Sequence, residues 1–373
     1  MTQEICLDTL SREGFAFEQM VLHLTYITSR GMVVEEFDGA FSRQAFYTRI
    51  YRQLFSPDGN WLVVTDSLAH LYLFELRHAL ELNASSNERR FKCLLKLDEP
   101  VYALSSVHSR IVCGNAVGQL AIYDWNDIIH SDTSDPCFPI SKFNGFPAGL
   151  SVAPPCEINA VSCINNRYIL YAGAGDNAIR LVEIERPDKV ISTFVGHTEY
   201  VNELAVQSEH VFLSSSEDGT VRLWDTRSKD LHIFNVASEE KLRRRNCGKG
   251  ICALDIEEDF MVCGGDVELA IWHIGSRSLA SPLCCERPPL MRYTVAKMNG
   301  DRILIGGSSS DLMQFDYSGQ HLTSVKTSLR SIYSIETNLL GPNAMTVVAG
   351  DSVLINAFLN LGYVSFCFST SST

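Results

Sequence analysis

The sequence predicts an all-β protein, a closed ring of seven four-stranded blades preceded by a short N-terminal extension. Three observations carry this prediction. A strand-like run ending in an aromatic or large apolar residue recurs at Phe74, Tyr123, Val182, Trp224, Trp272, Phe315 and Phe358. The steps are roughly 40 to 60 residues, and a period near 40–45 with four strands per unit marks a β-propeller. Within each unit the runs are short, rich in β-branched and aromatic residues, and cut by Gly and Asp, the grammar of strands joined by tight turns. No segment with helical periodicity separates them, which argues against a parallel sheet with crossover helices.

Taken in order, residues 1–40 do not fit that grammar. They hold Glu4, Asp8, Glu13, Glu18, Glu35, Glu36 and Asp38 against only Arg12 and Arg30, and are expected to form a partly ordered extension. A short helix from Phe41 to Tyr47 would lead into the propeller, assigned to residues 41–373. In the first blade Phe55-Ser56-Pro57-Asp58-Gly59 supplies a turn, with Pro presetting φ and Gly allowing positive φ. The longest step, from Tyr123 to Val182, contains Asp124 to Pro155, rich in Asp, Ser, Pro and Gly. It is expected to be a mobile loop, and such loops often bind partners. In the fifth unit Ile251-Cys252-Ala253-Leu254-Asp255-Ile256 alternates, then turns at Glu257-Glu258-Asp259. In the sixth, Gly306-Gly307-Ser308-Ser309-Ser310-Asp311 turns the chain. The last unit shows four strand-like segments, near Ser331, Ala344, Ser352 and Tyr363. The ring is therefore expected to close by blade-to-blade packing, without an N-terminal strand completing the last blade.

Composition agrees. The chain has 373 residues, 46% of them hydrophobic, and no apolar run approaches the roughly 20 residues of a membrane span. The N-terminus has neither the basic start nor the cleavage site of a secretory signal, so a soluble intracellular protein is expected. The 12 cysteines fit a reducing compartment. Cys113, Cys163, Cys252, Cys263 and Cys367 sit in strand patterns as small hydrophobes. No C-x-x-C pair occurs, and neither Cys247 with Cys252 nor the adjacent Cys284 and Cys285 has zinc-site spacing. No metal or cofactor is expected.

A net charge of −13 speaks against a general phosphate-binding surface and against nucleic acid as the main partner. The exception is Lys241-Leu242-Arg243-Arg244-Arg245-Asn246-Cys247-Gly248-Lys249. It reads as a solvated loop ahead of a nuclear-import signal or an RNA-phosphate contact. The glycine-rich Ala172-Gly173-Ala174-Gly175-Asp176-Asn177 is followed by no helix, so the helix N-terminus that would hold a phosphate is missing. It reads as a turn. Neither a G-x-S-x-G elbow nor an H-E-x-x-H motif is present, and no catalytic residue is assigned.

One stretch reads as a complete repeat: Gly196-His197-Thr198, then Ser214-Ser215-Ser216-Glu217-Asp218-Gly219-Thr220-Val221-Arg222-Leu223-Trp224-Asp225. It resembles a WD repeat. The resemblance implies that His197, Asp218, Trp224 and a serine, Ser214 or Ser216, form a hydrogen-bonded set tying the blade together. These residues are then structural, since buried polar groups need one another as partners.

Further blocks, Gly248 to Leu254, Phe260 to Gly265, Trp272-His273 and Phe358-Leu359-Asn360-Leu361-Gly362-Tyr363, are similar to the family of sixth subunits of the THO complex. That resemblance runs from Phe41 to the C-terminus. It implies a non-enzymatic nuclear scaffold of the TREX assembly in mRNA processing, splicing and export. Such a protein would be held by other THO subunits, would touch RNA only indirectly, and would have no membrane or small-molecule partner. An alternative rests on Trp224-Asp225-Thr226-Arg227, which resembles the Trp-Asp-x-Arg element by which substrate receptors dock on cullin-RING ubiquitin ligases. Arg227 is the partner-binding candidate there. Tyr363 and Phe366 are the candidates on the export reading, because the final blade is almost free of charge and its outer strand carries apolar residues, the composition of an interface core.

Overall fold

The computed structural model describes residues 47–81, 89–131, 137–146, 156–228, 231–283 and 291–371, together with the backbone of two strands near the N-terminus. Those two, β1 (Leu22–Thr28) and β2 (Gly31–Phe37), pair antiparallel in a sheet of their own, with Leu22 opposite Phe37. Apart from Tyr47, the helix expected between residues 41 and 47 lies outside the described residues.

Seven four-stranded antiparallel sheets follow, each in simple sequential order. Blade 1 comprises β3 (Ile50–Phe55), β4 (Trp61–Asp66), β5 (His70–Glu75) and β6 (Cys93–Lys96). Blade 4 comprises β15 (Val201–Val206), β16 (Val211–Ser216), β17 (Val221–Asp225) and β18 (Leu231–Phe234). Blade 7 comprises β27 (Ile332–Asn338), β28 (Met345–Gly350), β29 (Leu354–Phe358) and β30 (Phe366–Ser369). The recurring residues Phe74, Tyr123, Val182, Trp224, Trp272, Phe315 and Phe358 all lie in third strands and are all buried. Second strands such as Trp61–Asp66 and Val211–Ser216 are covered on both faces by neighbouring blades. Burial is near-continuous along both, and it takes in polar residues such as Thr65, Asp66 and Ser214 to Ser216.

The segment after Asp124 is not a featureless loop. The Asp124 carboxylate accepts the Asn126 N–H at 2.9 Å and so caps a helix, Trp125–His130. Trp125 and Ile128 bury its inner face in the core shared by blades 1 and 2. The strand Ser141–Asn144 then completes blade 2. Residues 132–136 and 147–155 lie outside the described residues.

All four strands of blade 7 come from the C-terminal segment, so the ring closes by packing. Phe74 of blade 1 meets Phe368 of blade 7 at 5.2 Å between ring centroids. The buried Gln53 amide donates to the Ser334 carbonyl at 3.2 Å. A single parallel bridge joins Arg90 to Ser369. At the lower edge Asn338 Nδ2 and Asn343 Nδ2 both donate to the Gly59 carbonyl, at 3.0 and 3.1 Å. Gly59 has φ +68, and a Cβ there would stand 2.9 Å from Asn338 Oδ1 and 3.0 Å from Leu340 Cβ. The turn and the close approach both require glycine.

Candidate interaction surfaces

In blade 4 the chain entering β15 brings His197 over the sheet. Its Nδ1 lies 2.8 Å from Asp218 Oδ2 and its Nε2 lies 2.7 Å from Ser214 Oγ. The Trp224 indole N–H donates to the same Ser214 oxygen at 2.8 Å. One proton arrangement satisfies every atom: Nδ1–H donates to Asp218, and the serine hydroxyl donates to Nε2 while accepting from the indole. Ser216 stands one step out, donating to the Glu199 carbonyl at 3.1 Å and accepting the Asp218 N–H at 3.1 Å. Burial raises the Asp218 pKa, but hydrogen bonds from His197 and Thr220 lower it further than that, well below the usual carboxylate range. Both imidazole nitrogens are engaged and the side chain is fully buried, which leaves no room for a substrate.

The partner-binding candidates separate. Arg227 is exposed, but its guanidinium grips Asp225, with Nη2 at 2.8 Å from Oδ2 and Nε at 3.1 Å from Oδ1. Tyr363 lies exposed in the loop between β29 and β30. Phe366 is buried, packed on Phe368 at 5.2 Å with the Arg89 guanidinium 4.6 Å above its ring. The apolar run of the last strand therefore closes the ring, and Phe366 is a core residue rather than part of an outward surface. The basic stretch is also more than a solvated loop. Leu242 is buried, and Arg244 lies 5.7 Å from the Tyr293 ring centre, leaving Lys241, Arg243 and Arg245 in solvent.

Sequence reasoning missed a ring around the axial channel. The innermost strand of every blade has a register shift at its second residue, and bulges re-aim side chains. The residues at those shifts are Tyr51, Tyr102, Asn159, Asn202, Cys252, Thr294 and Tyr333, and all seven line the channel mouth. Tyr51 and Tyr102 meet edge to face at 4.9 Å. Deeper in, Arg52 pairs with Glu203 at 2.9 Å and Lys297 with Glu336 at 3.5 Å. Burial pushes the Asp255 carboxyl up to about 6, against the pull of Lys297. Among the described residues no group of three or more His, Cys, Asp or Glu could hold a metal ion, and no helix is long and apolar enough to cross a membrane.

Comparison with known proteins fits this geometry. The family described as WD domain, G-beta repeat matches residues 188–225, the segment that carries the His197 set. The protein named THO complex subunit 6 homolog from Danio rerio is 29% identical over 336 residues, covering 87% of this chain and 98% of that protein. THO complex subunit 6 of Homo sapiens is 28% identical over 336 residues, covering 87% of this chain and 94% of that one. Among solved structures, that titled "Structure of U3-55K" superposes with a TM-score of 0.62 at 14% identity, over 81% of this chain and 88% of that one, a likeness of fold alone. The chain folds as a β-propeller carrying a WD repeat and is similar over most of its length to homologues named THO complex subunit 6.

Proposed function

We propose that the protein is a non-enzymatic scaffold subunit of the nuclear THO/TREX assembly, which couples transcription and mRNA processing to mRNA export. The observation that carries this reading is the extent of the similarity, which spans nearly the whole propeller rather than one generic repeat. The fold suits the role. A rigid ring offers two faces and a rim, and a preformed surface loses little conformational entropy on binding. A net charge of −13 favours basic protein segments over phosphate, so RNA is reached through other subunits. Residues 41–373 serve as the docking body and residues 1–40 as an extension to it. Arg227, held by Asp225, acts as a strand-end brace.

The test is purification of the tagged chain from nuclear extract, with and without RNase, and mass spectrometry of what accompanies it. THO subunits retained after RNase support the reading. Their absence, or their loss on RNase treatment, overturns it.

A further inference from the structure

Below its mouth the axial channel holds a chamber of about 430 Å³, within the range of small-molecule sites, roughly 300–1,000 Å³. Arg52 stands between mouth and chamber and lines both. From blade 1 its Nε donates to the Tyr102 carbonyl at 2.9 Å, and its Nη2 reaches the Asn159 carbonyl at 3.4 Å and Glu203 Oε2 at 2.9 Å. One guanidinium thus joins the inner strands of blades 1 to 4. Deeper in, the charge is gathered on one side. The fifth residue of the inner strand is uncharged in blades 1 to 4, with Leu54 and Ala205 at the two ends of that arc. In blades 5 to 7 it is Asp255, Lys297 and Glu336.

With Arg52 and Glu203, three carboxylates and two cations line the chamber. Both cations are committed, Arg52 to Glu203 at 2.9 Å and Lys297 to Glu336 at 3.5 Å. Lys297 also pulls on Asp255 without neutralising it, since burial still holds that carboxyl up at about 6. An independent feature of the wall is Gln53, 2% exposed. Its amide nitrogen donates to the Ser334 carbonyl, which fixes the orientation of the amide. The Gln53 Oε1 is then a buried acceptor with no hydrogen-bond partner among the described residues, a costly state unless something donates to it. A surplus carboxylate and an orphaned acceptor call for positively charged N–H donors. Among the described residues no group could hold a metal ion, which leaves an organic cation. We propose that the chamber binds a protonated amine or guanidinium on a slim, unbranched stem, with Asp255 countering the charge and Gln53 Oε1 accepting an N–H. Leu54 and Ala205 offer the stem an apolar wall, as long basic side chains require. A lysine or arginine of a partner protein meets this chemistry, and so does a free polyamine. The site is independent of the scaffold role.

Isothermal titration of the purified full chain tests it with three probes: spermidine, a capped Gly-Gly-Arg-Gly-Gly peptide, and the same peptide with citrulline, a neutral isostere, in place of arginine. Saturable one-to-one binding of either cation supports the proposal if it weakens by about tenfold or more in Asp255→Asn, the effect of removing one partner of a buried charge pair. The citrulline peptide should bind weaker by a similar factor. Asp255→Asn keeps an acceptor for the Met298 N–H, so its fold is retained and this variant decides. Gln53→Leu, followed together with its melting temperature, should weaken binding in the same direction. Tighter binding of the peptide identifies a partner's side chain as the source, and tighter binding of spermidine a free polyamine. Absence of saturable binding by both cations overturns the proposal, as does equal binding of the citrulline peptide. Binding undiminished in Asp255→Asn overturns it too, because the cation then sits on the acidic exterior.

Discussion

His197 and Asp218 are joined by a 2.8 Å contact that crosses from the entry of blade 4 to the turn between its second and third strands. Neither side chain reaches solvent to any extent, with 0% and 4% exposed. The pair locks the loop before β15 onto the turn, and Ser214 passes the constraint on to Trp224.

Emptying the Trp224 site by substitution with Ala should cost about 3–5 kcal/mol, the usual range for a large buried aromatic. His197→Ala should cost about 1–3 kcal/mol by leaving Asp218 and Ser214 short of partners. Thermal or denaturant unfolding measures both. If both variants melt within about a degree of wild type, the set does not hold the blade; the expected shifts follow from a ΔΔG of this size.

The same pair sets an acid limit. The folded-state pKa of Asp218 is lowered, so its stabilisation is fully present above the unfolded value of about 3.9 and is lost as pH falls below it. Asp218→Asn should lower the melting temperature at neutral pH and flatten its decline in acid. A variant as acid-sensitive as wild type would place the limit elsewhere.

Asp255 should behave in the opposite sense. Burial raises it to about 6, above the unfolded carboxylate range, so the folded state binds more protons between the two values. Its contribution is intact below about pH 4 and is lost as pH rises towards 6. Asp255→Asn keeps an acceptor for the Met298 N–H, which Asp255 Oδ2 now accepts at 2.7 Å, and drops the buried charge. The variant should be more stable than wild type at pH 7 by about 1–3 kcal/mol and equal to it near pH 4. Equal stability at both pH values would mean that the carboxyl is well solvated in the channel.

The blade count was legible because third-strand residues such as Trp224 and Phe315 must be large to fill the space between blades, and that need recurs once per repeat. The Trp125–His130 helix was hidden because Asp, Asn and Ser around it read as loop composition, although Asp124 followed by Trp125 and Ile128 carries a cap and an apolar face. The channel ring was not legible either. A bulge shifts one residue out of phase, and the apolar run Ile251 to Leu254 gives no sign that Cys252 turns to the mouth. Phe366 was misassigned because a charge-free strand has the same composition whether it faces a partner or the neighbouring blade. Phe368 and Arg89 against its ring, and its place in the core shared with blade 1, decide the matter.

Phe366→Asp and Tyr363→Asp should therefore part company. The first buries a carboxylate against aromatic rings at the ring closure and should cost at least about 3–5 kcal/mol, through lost packing and an unpaired charge. The second changes an exposed side chain and should shift stability by no more than about 0.5 kcal/mol. Circular dichroism melts separate the two. A Phe366→Asp protein that melts like wild type would restore that residue to the surface.

Closure itself has its own test at Gly59, whose carbonyl receives two asparagine amides from blade 7. Asn343→Ala leaves one donor on that carbonyl and frees Asn60 Oδ1, which Asn343 also contacts at 3.0 Å. A cost of about 1–3 kcal/mol is expected for losing buried hydrogen bonds. Gly59→Ala should cost more than the roughly 1 kcal/mol typical of such turns. It forces a Cβ into a positive-φ turn, and that Cβ would lie within 3.0 Å of both Asn338 and Leu340. Because, among the described residues, no strand from the other terminus completes blade 7, loosening this contact should open the ring between blades 7 and 1 before any other pair. Hydrogen exchange in the Gly59→Ala protein should thus quicken first in residues 332–338 and 50–55. Uniform acceleration around all blades would show that closure is shared and that Gly59 has no special place in it.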